Sequence, residues 1–205
     1  MAPSPPAAME AWAPALRAAR TGLLAFGLLV AALVGAASSD EPALASLLKT
    51  LDLRGYTSCT APPQVSGSTL DARQLSMTAH RGTVVVLNFW ASWCLECRSE
   101  MAMLERLQRE FSSRGLSIIG VNARESRAAV GRHATELGLT FPLVLDPDGK
   151  INAQYGVIAL PTTFVVGRDG RAIAFAVGPR KWESAPARAL IEALLAEPAQ
   201  GTAVQ

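Results

Sequence analysis

Trp90-Ala91-Ser92-Trp93-Cys94-Leu95-Glu96-Cys97 joins an apolar run, Thr83 to Phe89 (T-V-V-V-L-N-F), to a segment of helical periodicity that begins at the cysteines. Two thiols two residues apart at a strand-to-helix junction are suited to making and breaking disulfides. The first cysteine falls at the amino end of the helix, where free backbone N–H groups and the helix dipole stabilise a thiolate. Cys94 is therefore expected to be the more acidic, exposed, attacking thiol. Cys97, one turn further in, is expected to be the buried thiol that resolves a mixed disulfide. The two-residue spacer brings the sulfurs within bonding reach.

Outward from that stretch the pattern is a βαβ unit. Val84, Val85, Val86, Leu87 and Phe89 form the near-continuous run of a strand buried on both faces. Met101, Leu104, Leu107, Gln108 and Phe111 recur at three and four residues, one stripe of an amphipathic helix, with Arg98, Glu105, Arg106 and Arg109 largely on the other faces. Gly115 is placed to end this helix in the left-handed conformation. Leu116 to Val121 then reads as a strand parallel to the first, by the right-handed crossover rule.

The 205-residue chain is half hydrophobic, with a formal charge of +2 and three cysteines. That is enough for one domain with a real core. The charge is too small to argue for nucleic acid as a partner. Three cysteines are too few for a disulfide-stapled scaffold. Half of a zinc site is the other reading of a C-x-x-C, but the chain has no second C-x-x-C and no H-x₃₋₅-H, so no metal is expected.

At the amino end, Arg17 and Arg20 precede an uncharged apolar stretch, Gly22 to Ala37. Its leucine-rich centre, Leu23 to Val34, suits a signal-peptide core, and the small residues after it suit cleavage. An uncleaved membrane anchor, its arginines on the cytoplasmic side, is the alternative. Either places the rest of the chain in an oxidising compartment, the periplasm or extracytoplasmic membrane face of a bacterium. The expected organisation is 1–38 signal peptide or anchor, 39–58 linker with a short helix, 59–197 domain and 198–205 tail. The linker helix is read in Ala43 to Leu53, with Leu44, Leu47, Leu48 and Leu51 on one face, Ser39 or Asp40 as cap and Gly55 ending it. Cys59 is the odd cysteine, read as a buried, inert thiol, with a third redox thiol or an interchain partner as the alternatives.

Leu70 to Ser76 reads as a weak strand or hairpin arm, and His80-Arg81-Gly82 as a turn with a solvated histidine. Glu125 to Leu137 reads as a helix burying Ala129, Val130, Ala134 and Leu137, with His133 at its surface or boundary. Phe141 to Leu145 is an edge-like strand. Ile151 to Tyr155 is a helical turn. Thr162–Val166 and Ala172–Val177 are a hairpin joined at Gly167-Arg168-Asp169-Gly170. Ala185 to Glu197 is a helix capped by Ser184, with Pro186 in its first turn and Leu190, Ala193 and Leu194 inward. The order implies a mixed central sheet flanked by helices.

On these residues the chain resembles the thioredoxin fold, and more narrowly the TlpA/ResA-like thiol–disulfide oxidoreductases. The resemblance rests on Ala61-Pro62-Pro63, N-F-W-A-S-W-C-L-E-C-R-S-E-M at Asn88 to Met101, and Gly120-Val121-Asn122. It continues through L-T-F-P-L-V-L-D-P-D-G at Leu139 to Gly149, Tyr155-Gly156-Val157, and L-P-T-T-F-V-V-G-R-D-G at Leu160 to Gly170. It covers about Cys59 to Ala196. It implies a Cys94–Cys97 redox-active disulfide with Cys94 as nucleophile. Pro161 matches the family's cis-proline, which presents backbone to substrate, and Leu160 its variable neighbour; such a bond is accessible only before proline. Trp93 would shield the site, and Glu100 matches an acidic residue that accepts a proton near the buried thiol. An exposed helix carboxylate is the competing reading of Glu100. Three departures stand out: Leu95-Glu96 between the cysteines, Asn88 where thioredoxin has a buried acid, and Ala102 where many relatives have proline.

The expected activity is thiol–disulfide exchange with protein cysteines, with no bound cofactor and electrons from a membrane dithiol protein. Glu96 places a negative charge beside Cys94 and opposes its thiolate, which argues for a reductant. The family resemblance adds cytochrome c maturation as a setting. The alternatives are a disulfide oxidant, a peroxiredoxin-like antioxidant, and a non-enzymatic copper- or partner-binding module. The peroxiredoxin pattern wants Pro and Thr where this chain has Leu87 and Ala91.

Overall fold

The protein is described from a computed structural model, over residues 41–56 and 61–198. The apolar amino-terminal stretch and Cys59 lie outside the described residues. Among the described residues, no helix is long and apolar enough to cross a membrane.

The chain enters through helix α1 (Glu41–Thr50) and a two-residue strand β1 (Arg54–Gly55). A small hairpin follows, β2 (Ser66–Ser68) and β3 (Gln74–Ser76), then a 3₁₀ turn, Met77–His80. The βαβ unit is β4 (Val84–Trp90), α2 (Leu95–Phe111) and β5 (Leu116–Ala123). Then come α3 (Arg127–Leu137), β6 (Leu143–Asp146) and α4 (Lys150–Gln154). The chain closes with β7 (Thr162–Val166), β8 (Ala172–Val177) and α5 (Ala185–Ala196).

Six strands form one mixed sheet in the order β1-β8-β7-β4-β5-β6. β4, β5 and β6 are parallel, and β7, β8 and β1 add antiparallel neighbours. β4 lies inside the sheet, between β7 and β5, and all seven of its residues are buried. This is the physical content of its unbroken β-branched run. One face of the sheet, including Val84, Val86 and Trp90, packs against α2, α3 and α5, with α1 leucines at the margin. The other face, including Val85, Leu87 and Phe89, is covered by residues of the β2–β3 hairpin region and by Ile151 and Tyr155. The layers are thus unequal: four helices lie on one side and the five-residue α4 on the other.

Several local expectations change. α1 ends at Thr50 rather than at Gly55, because Asp52 takes a left-handed φ of 52° and Leu53 N–H returns to Leu48 O. Gly55 instead sits in β1 opposite Ala174, where a Cβ would come within 3.3 Å of Leu48. Leu70 to Ser76 holds the turn and only the second arm of the β2–β3 hairpin. In α5, Ala193 faces solvent and Ile191 takes the inward position, one step off the expected stripe. His133 is buried, not at the surface: its ring stacks on Trp90 at 5.3 Å, where α3 packs on the same face of the sheet as Trp90. Burial pushes its imidazole pKa below the ordinary value, helped by the nearby Arg98 charge. Trp90 in turn lies over Gly120 of β5, where a Cβ would come within 2.9 Å of the indole nitrogen. Glycine is required there by close approach.

Candidate active site

β4 delivers the chain to Ala91-Ser92-Trp93, and Cys94 caps α2 with extended backbone (φ −84°, ψ 107°). Its Sγ is bonded to Cys97 Sγ, and the Cys97 N–H points at it from 3.2 Å. A Cys94 thiolate at this place would face the unpaired N–H groups of the first helical turn. Cys97 has no exposed surface. Cys94 keeps only 8%, less open than the sequence led one to expect, because its sulfur turns inward to Cys97.

The surface immediately around Cys94 is apolar. Trp93 and Leu95, its two neighbours, are 72% and 79% exposed, and Ile158 is 72% exposed on the approach to Pro161. The Leu160–Pro161 peptide is cis. Phe89 pairs with Thr162, so Pro161 lies beside the end of β4 from which the cysteine loop departs. Thr162 Oγ1 donates to Ala159 O at 2.7 Å and closes that turn.

Glu100 stands one helical turn past Cys97, on the same inward side of α2, and is fully buried. Its competing reading as an exposed carboxylate does not hold. Three N–H donors converge on it: Trp182 Nε1 at 2.7 Å and Arg180 N at 3.0 Å on Oε1, and Asn88 Nδ2 at 2.8 Å on Oε2. Asn88 also donates to Thr163 Oγ1 at 2.9 Å, across the β4–β7 ladder. Burial raises the Glu100 pKa above the ordinary carboxylate value, against the opposing pull of the three donors and the Arg180 charge. The result is a carboxyl group able to hold a proton beside the inner thiol.

A second carboxylate grips the loop ahead of Cys94. Glu125 accepts from Ser92 N at 2.7 Å, from Ser92 Oγ, and from Asn122 Nδ2 at 2.6 Å. The loop is thereby tied to the carboxyl end of β5. Sequence reasoning did not single out Glu125, Ser92, Arg180 or Trp182 for the site. Ser92 lies inside the quoted motif and Asn122 ends another, but nothing local in the sequence marks Trp182, which is 82 residues from its partner. The structure does not bring His80 into the cysteine pair's surroundings; it ends the 3₁₀ turn before β4. Among the described residues, no group of three His, Cys, Asp or Glu side chains is gathered to hold a metal ion.

A mixed sheet carrying a C-x-x-C disulfide at the head of an amphipathic helix, beside a cis-proline, defines a protein of thioredoxin-like fold. The chain belongs to the AhpC/TSA family, whose model matches residues 59–174. It is 39% identical over 112 residues to "Thiol-disulfide oxidoreductase ResA" of Geobacillus thermodenitrificans (strain NG80-2), covering 55% of this chain and 64% of that protein. It is 40% identical over 111 residues to "Thioredoxin-like protein YneN" of Bacillus subtilis (strain 168), covering 53% and 64%. The chain thus spans a little under two thirds of these curated relatives. Among solved structures it is similar to a putative thiol:disulfide interchange protein DsbE from Chlorobium tepidum. That match has a TM-score of 0.62 and 25% identity, over 69% of this chain and 97% of the other.

Proposed function

We propose that this chain is a thiol–disulfide oxidoreductase that reduces disulfides of extracytoplasmic proteins. The observation that carries the reading is the Cys94–Cys97 disulfide capping α2 with the buried Glu100 one turn behind it. The names of the ResA and DsbE relatives support the same chemistry.

In the reduced protein the Cys94 thiolate attacks one sulfur of a client disulfide. A Cys94–client disulfide forms and the other client sulfur leaves as a thiolate, which takes a proton from solvent. Cys97 then gives its proton to the Glu100 carboxylate and attacks Cys94 Sγ. The second client thiolate is released and the Cys94–Cys97 bond forms. Two electrons have passed to the client, and a dithiol protein at the membrane restores the pair. Pro161 and Leu160 present backbone to the client, and Trp93 covers the sulfurs. The unit responsible is 59–197, delivered to the extracytoplasmic side by the 1–38 segment, which is then either cleaved as a signal peptide or kept as an anchor. Cytochrome c maturation is the setting the resemblance favours, with apocytochrome cysteines as clients.

The direction of electron flow rests on Glu96, exposed in the first turn of α2, whose charge opposes a Cys94 thiolate. Equilibration in thiol buffers, with Cys59 replaced by serine, measures the potential. A value near about −270 mV or below is the expected outcome, and one near about −120 mV would reverse the direction. Cys97→Ser should accumulate the mixed disulfide with a client peptide, and Cys94→Ser should form none. Rapid loss of the Cys94 thiol to peroxide, or tight copper binding with slow exchange, would point instead to the antioxidant or metal-holding alternatives.

A further inference from the structure

Glu100 takes two of its three hydrogen bonds from one short loop, residues 178–182, between β8 and α5. Trp182 supplies its indole N–H and Arg180 its backbone N–H. Trp182 is fully buried, so its donor has no water to fall back on. The same loop touches the other wall of the site, since Gly178 N donates to Pro161 O at 2.8 Å.

The Arg180 side chain builds this loop. Its Nη1 donates to Pro179 O at 2.9 Å and Gly178 O at 3.2 Å. Its Nε and Nη2 reach Asp52 O at 3.2 and 2.8 Å, and Nη2 also meets Asp52 Oδ2 at 2.8 Å. Asp52 lies in the turn after α1. Neither that turn nor the loop falls within the stretch matched by the family model, residues 59–174. The carboxylate is therefore held by two segments that flank the matched domain in sequence.

We propose that the 178–182 loop sets the proton affinity of Glu100, with Trp182 as the side-chain donor and Arg180 as a positioning residue. This rests on the reading of Glu100 as proton acceptor for Cys97. Donors to a carboxylate favour its charged form, and taking one away favours the protonated form. The charged group that bears on Glu100 besides these donors is the Arg180 guanidinium itself, committed to Asp52 on its far side. Loss of either side chain therefore moves the Glu100 titration in one direction, upward.

The test is a carbon-13 NMR titration of the oxidised full chain in detergent, carrying glutamate labelled at the side-chain carboxyl; Glu100→Gln identifies the resonance. Trp182→Phe and Arg180→Gln are each expected to raise the midpoint by about one pH unit. Midpoints within about 0.3 unit of the unmodified protein for both would overturn the proposal. If Trp182→Phe does not fold, Arg180→Gln decides, because its side chain reaches the surface. Arg180→Lys separates positioning from charge. It keeps the cation but loses the fork, so an upward shift supports the positioning role and an unshifted midpoint removes it. The exchange reaction of Glu100→Gln tests the underlying reading independently. An unchanged pH profile there would sink the proton-acceptor role while the titration still judges the loop.

Discussion

Glu100 and Glu105 lie on one helix, and both are buried, yet their surroundings differ in kind. Glu105 keeps 4% of its surface and has a cation of its own, Arg109 at 2.6 Å, one turn along and 63% exposed. Its remaining lone pairs take Thr140 N at 2.7 Å and Thr140 Oγ1 at 2.9 Å. It is a tie between α2 and the segment leading to β6, neutralised at the edge of solvent. Glu100 has neutral N–H partners, no exposed surface and a place one helical turn past the inner cysteine. A buried carboxylate bonded to its own cation fixes structure; one whose burial outweighs the pull of its donors and of a more distant cation keeps an affinity for protons that chemistry can use.

The sharpest way to break this contrast is to neutralise each acid and follow exchange with a peptide disulfide. Glu100→Gln is expected to slow exchange near neutral pH by about 10²-fold, the usual contribution of a positioned proton acceptor. Glu105→Gln should leave the rate within about a factor of two, as a residue remote from the reacting atoms does. Equal losses would erase the distinction.

Stability should rank the pair the other way. Glu105→Gln keeps an oxygen for Thr140 N but sets an amide N–H₂ against Arg109 Nε and gives up the charge behind all three bonds, and should cost about 1–3 kcal/mol in urea unfolding. Glu100→Gln should cost less, because Asn88 Oδ1 has no hydrogen-bond partner among the described residues and the Asn88 amide can turn to accept from the new N–H₂. A larger loss for Glu100→Gln would mean that its carboxylate is chiefly structural.

The pH dependence of stability sharpens the comparison further. The Glu100 pKa is raised in the folded protein. Between its ordinary value and the raised one, the folded state therefore holds more protons than the unfolded state. Stability should fall as pH rises through that window, by at most about 1.4 kcal/mol per pH unit. The fall should vanish in Glu100→Gln and persist in Glu105→Gln, read from urea midpoints at several pH values. Its persistence in Glu100→Gln would assign the slope to another group. The smallest effect is expected from Arg109→Gln, below about 1 kcal/mol, because the cation is largely exposed and both Thr140 bonds remain. A loss matching that of Glu105→Gln would show that the ion pair, not Thr140, holds the tie.

The contrast was invisible in the chain's pattern. Helical spacing put Glu105 among the outward residues of α2 and left Glu100 undecided between the thiol and solvent. Both are inside because α2 is covered on more than one side: by the sheet, by the 178–182 loop, and by the segment that carries Thr140. The stripe Met101, Leu104, Leu107 and Phe111 was readable because one helix face on one sheet repeats at a fixed period. His133 and Ala193 were misplaced because the helical period does not record which residue at the margin of a buried stripe meets a neighbour: His133 meets Trp90, and Ala193 meets solvent.

What the sequence determined by itself was local. It showed a strand buried on both faces, a dithiol at the head of the following helix, a hairpin at Gly167 to Gly170 and the cap at Ser184. These depend on neighbours within a few residues, where backbone sterics and side-chain periodicity act directly. Only the tertiary structure decided which carboxylate stands behind the thiols and what it meets there. Asn88, Arg180 and Trp182 reach Glu100 from 12, 80 and 82 residues away. A buried carboxylate's proton affinity is set by every group within a few ångströms, whatever its distance along the chain.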